Sequence, residues 1–238
     1  MFEQLAKTLD HLGEKQVAVV DIWGLQIRFD WTMLIMSWIA MGILFLLAFF
    51  LRRALCQPIE EKPNRAQAAL DALIAAVEGQ LTSNFSSPGL GARMFPFIGT
   101  LFLYVLVCNW LSVLPGLESP TANPNVTIGL ALLVFILAHA YAIRIKGVRR
   151  YLRGFLDPYP FMLPLNLIGE IAKPISHSFR LFGNVFAGTV LVTVVTAVLV
   201  PIAVPAALNA VFGLFSGFIQ AFVFSVLAVT YINMAVEG

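Results

Sequence analysis

Arg180 stands in the stretch SFRLFGNVFAG, residues 178–188, whose other side chains are apolar, small or neutral. A lone arginine in the middle of a hydrocarbon layer costs about 2.5 to 3.5 kcal/mol on insertion scales, so a chain that keeps one has a use or a partner for it. Of thirteen acidic residues, Glu170 alone falls in the same apolar tract, nearly three helical turns away. A desolvated guanidinium prefers a carboxylate. None is near in this chain, so the anion comes from another protein or from a substrate. A carboxylate meeting Arg180 has its pKa lowered by the neighbouring positive charge and releases its ion, while the fixed cation blocks protons from leaking straight through. At 100° per residue Lys173, His177, Arg180 and Asn184 form one polar stripe with Glu170 at its edge. Gln220 comes level with Arg180 if the chain turns back near residue 200 and the two tracts pack antiparallel.

The elements that must hold these groups are membrane helices. Among 238 residues 59% are hydrophobic, 12% are charged and 20 are Phe, a composition outside the soluble range. Apolar runs long enough to cross about 30 Å of hydrocarbon fall at 31–51, 94–114 and 126–145, followed by longer tracts at 161–200 and 204–236. As a continuous helix the 161–200 tract would measure about 60 Å, so it tilts, bends at Pro160, Pro164 or Pro174, or begins in the interface. Arg180 then lies far from both ends, which disfavours a guanidinium that snorkels to a headgroup. Gly183, Ala187, Gly188, Gly213 and Gly217 permit close helix approach or simply pack.

Residues 64–84 read differently. Leu70, Leu73, Ile74, Val77 and Leu81 share one face, which predicts an amphipathic helix on the membrane surface or against a soluble partner. The whole chain, 1–238, reads as one integral membrane domain, with 1–30 as an external N-terminal segment. That segment lacks the basic region and cleavage site of a secretory signal, so the first span is expected to direct insertion.

Ten of the fifteen Lys and Arg residues fall between spans one and two or between three and four, whereas PGLESPTANPN and VPIAVP carry none. The positive-inside rule predicts the N-terminus outside and the C-terminus in the cytoplasm. Cys56 and Cys108 have no partner spacing for a metal or a disulfide and read as packing residues. No metal site, cofactor or nucleic-acid surface is predicted, and no internal repeat is visible.

KPISHSFRLFGNVFAG, preceded by PTANPNVTIGLALLVFILAHAYAIRIKG and followed by IQAFVFSVLAVTYINMA, resembles the a subunit of the membrane sector of F-type ATP synthases. The likeness runs from about residue 94 to the end. It implies an all-α membrane protein whose last two helices, 161–238, form a long, tilted antiparallel hairpin facing a rotor. It implies that Arg180 is the essential arginine facing a ring of c subunits, with Asn184 and Gln220 as the amides beside it. The partners implied are the c-subunit ring, the b subunits of the peripheral stalk, the other ATP synthase subunits and the lipid bilayer, in a bacterial inner membrane. Two positions depart from the pattern: Thr189 follows FAG where many members carry Glu or His, and Gly213 stands seven positions before Gln220 where many carry His or Glu. An outer path would then use water with Thr189, Ser216, Asn109, Ser112 or Asn125, each of which also reads as a packed or capping residue. Glu170, Lys173 and His177 are assigned to the inner path, against the alternative of an intrahelical Glu170/Lys173 pair with an idle histidine. His139 reads as an interhelical hydrogen-bonding residue.

The implied function is an ion-translocating stator subunit with two half-channels meeting near Arg180, catalysing no bond chemistry itself. Two rivals remain open from sequence. A secondary transporter would bind an anionic solute at Arg180, and a structural anchor would pair Arg180 with a partner helix.

Overall fold

The computed structural model describes residues 17–22, 25–55, 75, 78–79, 88–113, 117–157, 159–198, 210 and 212–237. Two strands, β1 (Val17–Ile22) and β2 (Leu25–Asp30), pair antiparallel from Val17 opposite Asp30 to Ile22 opposite Leu25. This short hairpin precedes the membrane part, within the segment read as merely mixed polar. All else that is regular is helical: α1 (Trp31–Leu55), α2 (Pro88–Leu111), α3 (Pro124–Lys146), α4 (Val148–Gly154), α5 (Leu163–Val198) and α6 (Gly217–Glu237). Short 3-10 turns at Pro120–Ala122 and Pro160–Met162 precede α3 and α5, and a π turn at Phe212–Ser216 leads into α6. Most of 64–84 lies outside the described residues; Ala75, Glu78 and Gly79 are helical and exposed.

Five helices are long and apolar enough to cross a membrane: α1, α2, α3, α5 with its leading turn, and α6 with its π turn. The chain is an all-α membrane protein apart from the β1–β2 hairpin. Span two begins at Pro88 rather than at 94, because Pro88 occupies a first-turn position that needs no N–H. Pro96 sits inside that helix, and the Thr100 hydroxyl donates to its carbonyl at 2.7 Å. The long tract is one helix as far as Val198. Pro164 falls in its first turn, where proline is tolerated, and Pro174 lies in its interior, where it removes the donor for the Glu170 carbonyl.

The helices alternate in direction. His177 stacks on Phe224 and Asn184 bonds Gln220, so α5 and α6 run antiparallel. Thr127 meets Ser178 and His139 approaches Glu170, so α3 and α5 do too, and the Asn109–Gly217 bond sets α2 against α6. One end of the bundle therefore carries residues 117–123 and the π turn, and the other carries the α3–α4 turn and the C-terminus of α6.

The core lies between α2, α3, α5 and α6. From α2 it takes Leu90, Met94, Ile98, Leu101 and Val105, spaced by three and four; from α6, Ala221, Phe224, Ala228 and Ile232. The buried face of α3 holds Ala131, Val134, Ala138 and Ala142, and the three alanines let backbones approach closely. By contrast α1 touches the rest mainly through Ala40 against Cys108 and Leu111, and leaves Trp38, Phe45 and Phe50 exposed, as a lipid-facing helix does.

Candidate functional site

Arg180 lies halfway along α5, about 25 Å of helix from either end. It is exposed, and among the described residues no carboxylate lies within ion-pair distance of it. Flanking it on that side are the small, exposed or half-exposed residues Gly169, Ala172, Ser176, Gly183 and Ala187, alongside the larger Lys173, Asn184, Leu191 and Val194. A Cβ added at Gly169, Gly183 or Gly188 meets nothing within 4 Å, so among the described residues these glycines serve no packing. Gly217 is the one that is required: its Cβ would stand 3.0 Å from Asn109 Cβ and 3.3 Å from Trp110 Cδ1.

The polar stripe read from helical spacing divides in three dimensions. Arg180 and Asn184 are exposed, His177 is 1% exposed, and Lys173 is intermediate. Asn184 turns toward α6, where Nδ2 donates to Ser216 Oγ at 2.9 Å and to Gln220 Oε1 at 3.2 Å. Gln220 thus stands opposite Asn184, one turn of α5 beyond Arg180, and its oxygen is taken by Asn184. Gln220 Nε2 is buried with no hydrogen-bond partner among the described residues.

Toward the α3–α4 end, Lys173 donates to Glu170 Oε1 within one turn of α5, so the intrahelical pair weighed as the alternative to an inner-path assignment is present. His139 Nε2 of α3 stands 3.8 Å from the other carboxylate oxygen, beyond hydrogen-bond distance, and its Nδ1 has no partner among the described residues. His139 is thus an interhelical residue, but not the satisfied one expected. These three side chains line an open bowl of about 1210 Å³ under the α3–α4 turn, together with Tyr151. Partial burial, reinforced by the Glu170 charge, raises the Tyr151 hydroxyl above the ordinary tyrosine range, so it stays a neutral donor at neutral pH. A narrow gap, with space for about one water, continues between His139, Glu170, Lys173, Pro174, His177 and Tyr231. His177 closes it. Both of its ring nitrogens are buried without hydrogen-bond partners among the described residues, and its ring lies 3.8 Å from that of Phe224 and 5.4 Å from that of Tyr231. Sequence reasoning passed over Tyr231 and gave His139 a bland role. The signal was there in the antiparallel register of α3 and α5, which brings residue 139 beside 170.

At the opposite end the polar residues are occupied. Asn109 Nδ2 donates to the Gly217 carbonyl at 3.2 Å, and Asn109 Oδ1 accepts from Thr121 Oγ1 at 2.7 Å. Ser119 Oγ contacts Thr121 Oγ1 at 2.6 Å and donates to the Cys108 carbonyl at 2.8 Å. Trp110 Nε1 reaches the Leu214 carbonyl at 3.1 Å. Ser112 bonds the Asn109 carbonyl, Thr189 bonds the Val185 carbonyl in its own helix, and Asn123 rather than Asn125 caps α3. Of the residues considered for an outer path, Ser216 alone joins the Arg180 neighbourhood, through Asn184. Among the described residues no cluster of side chains fits a metal ion.

Comparison with known proteins supplies the family. The model of the ATP synthase A chain matches residues 34–233. The "ATP synthase subunit a" of Streptococcus agalactiae is 39% identical over 229 residues, covering 90% of this chain and 94% of that one. That of Desulforamulus reducens is 37% identical over 206 residues, with 84% and 77% covered, and the "ATP synthase subunit a 2" of Acaryochloris marina 37% over 202, with 85% and 84% covered. Since the family model reaches into all five spans and these relatives are covered over most of their length, the chain belongs to the ATP synthase A-chain family, the subunit a proteins of the Fo sector of F-type ATP synthases.

Proposed function

We propose that this chain is the stator through which ions pass to and from the rotor of an ATP synthase, and that Arg180 is the cation that discharges the rotor carboxylates. The observation that carries this reading is the exposed guanidinium halfway along α5, which among the described residues pairs with no carboxylate and is flanked by small residues left uncovered. Small residues let a second helix come close. A helix of a c-subunit ring, carrying a membrane carboxylate, fits that face and supplies the missing anion. The Arg180 charge lowers the carboxylate's pKa as it arrives, the ion leaves, and the vacated carboxylate pairs transiently with the guanidinium. Asn184, holding Ser216 and Gln220, keeps α5 and α6 in register beside it.

The bowl, the gap and His177 form one half-channel, with Glu170, Lys173 and His139 at its throat. With the ten basic residues of alternate loops inside, this half-channel opens to the cytoplasm, the N-terminal segment 1–30 lies outside, and 64–84 rests on the inner surface of a bacterial plasma membrane. The other half-channel reaches the Asn184–Ser216 pair from the opposite side, past Thr189, without a titratable pair. No covalent bond is made or broken in this chain; ATP chemistry belongs to other subunits, and the b subunits of the peripheral stalk would hold the chain against rotation.

The test is ATP-driven and passive ion flux in liposomes containing the whole complex, wild type against Arg180→Ala, with assembly followed on a native gel. Loss of coupled transport from an intact complex is the expected result. Coupled transport that survives the substitution, or a complex that fails to assemble because Arg180 only anchors a partner, overturns the reading.

A further inference from the structure

A second cluster of charge lies where three helices leave the hydrocarbon. With 23 residues α3 is about 34 Å long, so Lys146 in its last turn reaches the level at which hydrocarbon gives way to headgroups. Its ammonium donates to the Ala235 carbonyl near the end of α6 at 3.0 Å, which brings a second helix end to the same level. Gly147, at φ 77°, then turns the chain into α4, a backbone conformation that side chains with a Cβ rarely take. From α4 the side chains of Arg149, Arg150 and Arg153 line the bowl. All three are exposed, and among the described residues none is paired with a carboxylate.

The rest of the lining is of another kind. Val148, Leu165 and Met234 line the same bowl and are 58%, 61% and 52% exposed. A purely aqueous vestibule gains nothing from three exposed aliphatic side chains beside three free guanidiniums. Planar guanidinium forks match phosphate oxygens in pairs, and basic pockets between membrane helices at the interface receive anionic headgroups. We propose that the bowl under the α3–α4 turn is a seat for a phosphate-bearing anion, the headgroup of an anionic phospholipid, held by Arg149, Arg150 and Arg153 with its chains against Val148, Leu165 and Met234. Free phosphate presents the same oxygens but has nothing to place on the apolar wall. The site does not depend on the role given to Arg180, and it is tested by binding rather than by transport.

The experiment uses the intact complex, delipidated in detergent and titrated with a photo-crosslinkable phosphatidylglycerol, with label read by peptide mass spectrometry. In the wild type, label is expected to saturate on the segment 146–155. Excess unlabelled phosphatidylglycerol should remove it, and phosphatidylcholine or millimolar inorganic phosphate should not. Replacing Arg149, Arg150 and Arg153 together by Gln is expected to lower labelling at least about tenfold. Should that variant fail to assemble, the triple Arg→Lys variant keeps the charge but not the fork, and a several-fold loss in an intact complex is expected. Equal competition by phosphatidylcholine would mean unspecific snorkelling, and competition by inorganic phosphate would mean that a soluble anion is the ligand. Unchanged labelling alongside weaker retention of a neighbouring subunit would mean an acidic protein segment. Each of these outcomes overturns the proposal.

Discussion

The two ends of the bundle both break the regular helical ladder inside a membrane, and they treat the exposed backbone differently. At the 117–123 end the irregular turn at Phe212–Ser216 lies against α2, and its neighbouring carbonyls, those of Leu214 and Gly217, are taken by Trp110 and Asn109. The donors are neutral, the contacts are close, and Ser119 and Thr121 complete a buried network. At the α3–α4 end Pro174 frees the Glu170 carbonyl beside an open bowl, and the side chains there are charged, with ring nitrogens that have no hydrogen-bond partner among the described residues. One end is built to hold its shape. The other leaves an open bowl walled by charged side chains.

Substitutions should separate the two. The largest effect on stability is expected from Gly217→Val at the tight end, because a Cβ there already stands 3.0 Å from Asn109 Cβ and the neighbour is the stem of a bonded side chain. Overpacking of this kind costs about 1 to 3 kcal/mol, and the valine sits at its upper part. The thermal midpoint at which the solubilised complex releases this chain on a native gel should fall clearly. A midpoint within error of wild type would show that α2 and α6 can move apart freely, and the contrast between the ends would fail.

Asn109→Leu comes next. It keeps the branched shape but removes two buried hydrogen bonds, to the Gly217 carbonyl and from the Thr121 hydroxyl, a loss of about 1 to 3 kcal/mol. The midpoint should fall by less than for Gly217→Val. Passive flux should stay low, since nothing at this end is proposed to carry ions through Asn109. A variant that became leaky without losing stability would move the outer path to this network.

The contrast also marks what could be read from sequence. Five spans followed from apolar length, and the pairing of α5 with α6 followed from counting outward from residue 200, because helical rise is fixed and the turn is bracketed by prolines. The tight end was not legible: the π turn depends on how α6 meets α2, and Asn109 looked as fit for a water path as for a clamp. Nor was the separation of His177 from Arg180. Spacing alone puts them on one stripe, but α6 covers only part of that stripe, so one ring is buried under Phe224 while the guanidinium stays outside. The β1–β2 hairpin escaped for a simpler reason: the mixed polar composition of 1–30 masks the β-branched run in VAVVDI and the alternation in LQIRFD.

The smallest effect on stability, and the sharpest on function, is expected from His177→Phe. The ring is buried against Phe224 and Tyr231, so a phenyl ring fits the same space, and the substitution removes two polar atoms that have no partner among the described residues. Replacing an unsatisfied buried polar group by an apolar one of similar shape is close to neutral or mildly stabilising. The release midpoint should therefore be unchanged or slightly higher. Ion flux should behave in the opposite way if the proposed half-channel runs through this gap, because a phenyl ring there can neither accept nor pass a proton. A drop of tenfold or more in ATP-driven flux, with the complex intact, is the expected result. If flux is retained, ions reach Arg180 by some way other than His177, and the bowl is then a vestibule of the chain without being the mouth of its path.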